Sequence, residues 1–287
     1  MPALERILVT TDFSPLGNAA VRRAARLAAR DGAQLLLVHA LPRFPTLQAV
    51  FGDHAQVAQQ MRAAAEAHIG TLLAEADAAG VVDVRAEIGE GAAHRVVADA
   101  LETFHPDLVV IGAHGKGLLQ QFFLGGTAAR ILAQSTCPVL VVRELAGADY
   151  QHVLAAVDLG PRSPVVLAAA HRLGGRAQLT AVYAYTAPFE ASLRYKGFPE
   201  EDIRHYVEKE AQAAQPRMAA LLAESGLTAD ARIVYGDINP ALPEAVRELG
   251  ADLIAVGKHG GTRVEEAIMG SVPRFLAYYA PCDVLVC

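Results

Sequence analysis

Apolar residues group in two ways along this chain. Short unbroken runs rich in Val, Ile and Leu, such as RILVT at 6–10, QLLLV at 34–38 and LVVIG at 108–112, are separated by longer stretches where apolar positions recur every three or four residues. Unbroken runs of this length suit strands buried on both faces, as in a parallel sheet. The spaced stretches suit helices with one buried face. In the first half the pattern predicts strands at about 6–11, 34–39, 82–88, 107–112 and 138–143. Val57, Met61, Ala65, Ile69, Leu72, Leu73 and Ala76 mark the buried face of a helix between the second and third. Ser14 as N-cap followed by Pro15 marks the start of the first helix. Strands alternating with helices in this order define an α/β chain with a parallel sheet.

The same pattern runs through the chain twice, at an offset of about 145 residues. RILVTTDF lies over HVLAAVDL, GAQLLLVHA over RAQLTAVYA, DLVVIGAHG over DLIAVGKHG, and CPVLVV over CDVLVC. A period of this length is the size of a whole domain rather than of a solenoid unit. Two tandem domains are therefore expected, 1–146 and 147–287, joined near 145–151. Each would be Rossmann-like, with an open, mostly parallel five-stranded sheet and helices on both faces. Pro161 and Pro164 follow Asp158, and the second copy is two residues shorter before its second strand, so its first helix is expected to start later.

Composition narrows the functional classes. The 287 residues are 53% hydrophobic and 20% charged with net charge −6, which fits two buried α/β cores and argues against a nucleic-acid binder needing a basic face. The three cysteines, Cys137, Cys282 and Cys287, form no CxxC pair, so no disulfide framework or zinc knuckle is expected, and a reducing cytoplasm is the expected compartment. Cys137 and Cys282, each before a last strand, are expected to behave as small buried hydrophobes. MPALERILVTTDF carries an acidic residue early and no long apolar core, unlike a signal peptide. No apolar run approaches the roughly 20 residues of a membrane span.

Candidate chemistry sits at the carboxyl ends of strands, where open parallel sheets bind ligands. Asp12 and Asp158 follow the first strand of each copy, and a glycine-rich stretch follows the fourth. GKHGGTRVEEAIMGSV at 257–272 carries Gly257, Gly260, Gly270 and Ser271, while GAHGKGLLQQFFLGGT at 112–127 keeps Gly112, Gly115 and Gly125 but has Gly126 where the other copy has Ser271. If the first and fourth strands are neighbours, the aspartate and the glycine stretch face one crevice. Bare glycines let the backbone turn and approach a ligand. Amides opening the next helix, with the Ser271 hydroxyl beside them, form an anion site suited to phosphate. Lys258 and Arg263 would add positive charge, and Asp158 would accept from ribose hydroxyls or an adenine amine. The plainer alternative is a glycine turn with Ser271 capping its own helix.

A G-x2-G-x9-G-[S/T] stretch after a fourth strand, with an aspartate after the first, resembles the universal stress protein family, and the resemblance covers about 4–143 and 152–287. The second copy matches in full, and the first departs at Gly126. In that family's ATP-binding members adenine lies near the end of the second strand, ribose near the aspartate and phosphates on the glycine loop. The resemblance implies Asp158, Ala184, Gly257, Gly260, Gly270, Ser271 and Val272 as nucleotide-binding positions in the second copy, with Lys258 beside them. In the first it implies Asp12, Ala40, Gly112, Gly115 and Gly125.

The expected cofactor is ATP or AMP, with magnesium as a companion ion, in a protein of stress response or signalling. The first site is expected to be the weaker one. GxxxxGK[ST], SGGxDS and GxSxG are absent, and nothing supplies a nucleophile or metal cluster, so catalysis is expected to be at most slow ATP hydrolysis. The alternative is a tandem member that binds another small or lipid-like ligand or a protein partner. His114 and His259 inside the glycine stretches are expected to bond backbone, and His39 and Tyr183 to be packing residues. The charged, aromatic stretch PFEASLRYKGFPEEDIRHYVEKE is expected to be a loop and a solvated helix, with a lid as the alternative. Single-domain members dimerise through the last strand, so residues 138–143 and 283–287 are expected to pair antiparallel within the chain. A homodimer of tandem chains is left open.

Overall fold

The structure, a computed structural model, describes residues 3–42, 54–114, 124–145, 148–258 and 269–287. The chain divides into two compact units, Met1–Asp149 and Tyr150–Cys287. In the first, the order is β1 (Arg6–Thr10), α1 (Pro15–Asp31), β2 (Gln34–Leu41), α2 (His54–Ala78), β3 (Val84–Glu90), α3 (Ala93–Phe104), β4 (Leu108–Gly112), α4 (Gly126–Gln134) and β5 (Val139–Val142). The strands lie in the order β3-β2-β1-β4-β5, with parallel pairing throughout. The apolar runs are strands because they fill the middle of this sheet: Ile7, Leu8, Val9, Val109 and Val110 are fully buried. Helix α1 contacts α2, and α3 contacts α4, which covers both faces.

The second unit repeats the plan with β6 (His152–Ala156), α5 (Ser163–Gly174), β7 (Gln178–Tyr185), α6 (Glu190–Tyr195), α7 (Glu200–Ser225), β8 (Asp230–Tyr235), α8 (Ile238–Leu249), β9 (Leu253–Val256), α9 (Ser271–Tyr279) and β10 (Asp283–Val286). Its order is β8-β7-β6-β9-β10, again parallel. Each chain half leaves its first strand to one side and returns on the other, so β1 pairs with β4 and β6 with β9. That reversal opens a crevice beyond the carboxyl ends of those strands.

Local signals explain where helices begin. The Ser14 hydroxyl accepts from the Gly17 amide at 3.0 Å, and Pro15 opens α1. Helix α5 has no side-chain cap, starts two residues later relative to its aspartate, and runs 12 residues against 17 in α1. Along α2 the expected face is inward: Ala65, Ile69, Leu72 and Ala76 are buried, and Val57, Met61 and Leu73 half-buried. The charged stretch after β7 forms α6 and the start of α7, tied down by Tyr206 donating to the Pro188 carbonyl at 2.7 Å. Cys282 is buried as expected, whereas Cys137 is half-buried beside the Ser135 hydroxyl, 3.5 Å away. Among the described residues no helix is long and apolar enough to cross a membrane.

Candidate functional site

Each unit has a cavity at the reversal point. In the second it measures about 460 Å³ and is walled by β6, β7, β9, the first turns of α8 and α9, and the loop before α5. Asp158, Ala184, Gly257, Gly270, Ser271 and Val272, six of the predicted positions, line it together. Lys258 stands next to the wall, its amide donating to the Cys287 carbonyl and its carbonyl accepting from the Gly270 amide at 3.0 Å. That second bond ties the end of β9 to the start of α9. The predicted Gly260, with Arg263 and His259, lies outside the described residues.

The start of α9 decides what this wall offers. Gly270, not Ser271, is the N-cap, and it makes no side-chain capping bond. The alternative in which Ser271 caps its own helix is therefore not what forms; Ser271 is the first helical residue and is exposed. The first intrahelical bond runs from the Arg274 amide to the Gly270 carbonyl. The amides of Ser271 and Val272 precede it, and Pro273 has none to give. Two amides, one hydroxyl and the positive end of the helix dipole thus form one wall.

Asp158 lines the same cavity from the loop after β6. Its Oδ1 accepts from the Gly160 amide at 2.8 Å and from the Ser163 hydroxyl at 2.9 Å. Leu159 directly behind it has φ +56°, and Phe13 behind Asp12 has φ +61°. Two unrelated non-glycine side chains thus share the left-handed region, each following the aspartate of its unit. Phe13 rests on the His39 ring with centroids 4.1 Å apart, and the Leu159 carbonyl accepts from Arg217 at 3.1 Å.

Several lining residues were not readable beforehand. Arg162 reaches the wall because α5 starts late, and Ile238 and Leu242 reach it from α8. Tyr183, expected to be packing, lines the cavity with Tyr185, and their rings stack at 6.1 Å. Burial first, then the carboxylates Glu210, Glu190 and Glu208, push the Tyr185 hydroxyl above its usual range, so it stays neutral and donates to the Val207 carbonyl at 3.1 Å.

The first unit's cavity is smaller, about 320 Å³, and is lined by Asp12, Ala40, Gly112 and Gly125 of the predicted set. Gly115 lies outside the described residues. Gly126 opens α4 after Gly125, and the first intrahelical bond is Ala129 amide to Gly125 carbonyl, so the amides of Gly126, Thr127 and Ala128 precede it. His39, the counterpart of Tyr183, is buried instead and bonds the Thr11 carbonyl through Nδ1 at 2.8 Å. His114 lines this cavity, and among the described residues its buried Nδ1 finds no hydrogen-bond partner, contrary to the expected backbone bond. Gly112 has a second reason to be bare: a Cβ there would stand 3.0 Å from the Gly17 amide nitrogen and 3.0 Å from the Leu16 carbonyl carbon.

Two tandem doubly wound α/β units, each with its cavity at the strand reversal, define a protein of Rossmann-like class. The chain belongs to the universal stress protein family, whose model matches residues 3–143 and 149–287. A universal stress protein of Mycobacterium tuberculosis H37Rv is 26% identical over 186 residues, covering 63% of this chain and 61% of the relative's own length. The chain thus matches less than two thirds of that relative. A putative universal stress protein of Staphylococcus epidermidis is 31% identical over 150 residues, 48% of this chain and 84% of its own. Among solved structures, a universal stress protein from Archaeoglobus fulgidus DSM 4304 shares the fold with TM-score 0.69 at 18% identity, covering 98% of this chain and 97% of that one. A putative universal stress protein from Pseudomonas aeruginosa UCBPP-PA14 has TM-score 0.68 at 18% identity, covering 99% and 93%.

Proposed function

We propose that the second unit binds an adenine nucleotide, ATP or AMP, and that the chain acts as a nucleotide-responsive protein in stress response or signalling. The observation that carries this reading is that Asp158 and the first turn of α9 line one cavity of about 460 Å³, within the roughly 300–1,000 Å³ of small-molecule sites. Phosphate oxygens would accept from the Ser271 and Val272 amides and the Ser271 hydroxyl. Asp158 would accept from the ribose, and the base would lie along Ala184 and the tyrosines of β7. Lys258 and Arg162 would add positive charge at the rim. No nucleophile or base is required for this role, and occupancy itself is the proposed signal.

Mass spectrometry of ligand released from freshly purified protein, followed by titration calorimetry with ATP and AMP, with and without magnesium, tests the reading. Recovery of an adenine nucleotide and saturable binding are expected. No nucleotide in the extract and no heat with either would refute it, and recovery of a lipid-like molecule instead would favour the non-nucleotide alternative.

A further inference from the structure

Ser163 has no place in the family pattern quoted above, and among the residues lining the second cavity it does not appear. It is nevertheless 1% exposed and spends its hydroxyl on Asp158 Oδ1 at 2.9 Å, the oxygen that also accepts from the Gly160 amide. Asp158 itself is exposed. An exposed carboxylate otherwise samples several rotamers, and fixing it costs conformational entropy when a ligand binds. Two donors converging on one oxygen hold the carboxylate plane before any ligand arrives, one from the loop and one from the buried end of α5.

The first unit shows that this position is suited to the task. Five residues after Asp12 stands Gly17, and a Cβ built there would meet Asp12 Oδ1 at 2.8 Å and Thr11 Oγ1 at 2.9 Å. The fifth residue after the aspartate therefore abuts the carboxylate in both units. The second unit fills the place with a hydroxyl, because its helix starts two residues later and Ser163 is the first helical residue there, whereas Gly17 is the third. Asp12 Oδ1 accepts from the amide two residues on, that of Ser14 at 3.0 Å, just as Asp158 Oδ1 accepts from that of Gly160, and the Ser14 hydroxyl serves the helix as its cap.

We propose that Ser163 is a positioning residue that pre-orients Asp158 toward a ribose hydroxyl, and so sets the second unit's preference for ribonucleotides over their deoxy forms. The proposal rests on the nucleotide reading given above. A hydroxyl donating to a fixed carboxylate is a charge-assisted bond, and its loss weakens binding by about tenfold or more. A carboxylate released from Ser163 gives back most of that difference.

The experiment is titration of the full chain with ATP, 2′-deoxy-ATP and 3′-deoxy-ATP, for the wild type, Ser163→Ala, Ser163→Gly and Ser163→Thr, with melting curves to establish folding. Ser163→Gly copies Gly17 and keeps the test usable if the alanine variant does not fold. For the wild type, at least one deoxy nucleotide is expected to bind about tenfold more weakly than ATP. In Ser163→Ala and Ser163→Gly that penalty is expected to fall below about threefold, and Ser163→Thr, which keeps the hydroxyl, is expected to retain it. A loss of stability alone would weaken all three nucleotides equally and leave the penalty untouched, so an undiminished penalty overturns the proposal. A wild type that binds ATP without any such penalty also overturns it. Failure of the wild type to bind ATP at all refutes the nucleotide reading itself.

Discussion

Replacing Gly112 by alanine is expected to destabilise the first unit through the protein's own backbone. The added methyl would lie 3.0 Å from the Gly17 nitrogen, 3.0 Å from the Leu16 carbonyl carbon and 3.1 Å from the Leu16 oxygen, all atoms of the first turn of α1. Backbone cannot rotate away as a side chain tip can, so α1 must retreat from β4 by several tenths of an ångström. Overpacking of this kind costs about 1–3 kcal/mol. For a unit of 149 residues, a loss of that size lowers the melting temperature by about 2–12 °C. Gly126→Ala is the matched control: nothing lies within 4 Å of its added Cβ, and it opens a helix, so no loss and a gain of up to about 1 kcal/mol are expected. Scanning calorimetry with hydrogen exchange on β1 and β4 reads both. Unchanged melting and exchange in Gly112→Ala would refute the argument that helix approach, and not ligand approach alone, keeps residue 112 bare.

Ser271→Ala is expected to weaken nucleotide binding by the second unit about tenfold to a hundredfold, the worth of one hydrogen bond to a charged group; titration with ATP checks it, and unchanged affinity removes the hydroxyl from the proposed site. Gly126→Ser is expected to strengthen ATP binding by the first unit, though α4 already presents three amides where α9 presents two, so the gain is expected to be smaller than the loss in Ser271→Ala. Burial pushes the Cys287 thiol up to about 12 from 9.0, so the folded protein is expected to resist iodoacetamide at Cys287 at pH 9 while the unfolded chain reacts. Because the unfolded thiol ionises first, stability from this group is complete below about pH 9 and declines toward pH 12, which alkaline melting curves read.

Much of the fold was legible because continuous Val/Ile/Leu runs leave little room for error: the strand expected at 107–112 is Leu108–Gly112, and that at 34–39 is Gln34–Leu41. The edge strands read less cleanly, since β3 alternates in burial and runs two residues later than its expected 82–88. Among the site residues, those fixed by spacing along one loop were readable, and those brought in by another element were not. Arg162 and Ser163 take their places only because α5 starts late, which two prolines signalled but could not locate. Tyr183 and His39 occupy matching positions, yet one lines a cavity and the other is buried beside Phe13, a difference set by neighbours far away in sequence. The reason for Gly112 likewise lies in α1, some 95 residues earlier.

The left-handed residue behind each aspartate carries a consequence for anyone seeking a more heat-resistant version of this protein. Phe13 and Leu159 hold a conformation that an L side chain pays about 1 kcal/mol or more to adopt, and glycine would adopt it freely. A stability screen would therefore be drawn to glycine at both positions, despite the flexibility it adds to the unfolded chain. The two sites differ in what such a change discards. At 159 the Arg217 bond is to the backbone carbonyl and survives, whereas at 13 the ring that rests on His39 and His68 disappears. The same relaxation would loosen the loop that aims each carboxylate, so thermal tolerance and ligand grip would be traded against each other one residue away from the aspartate.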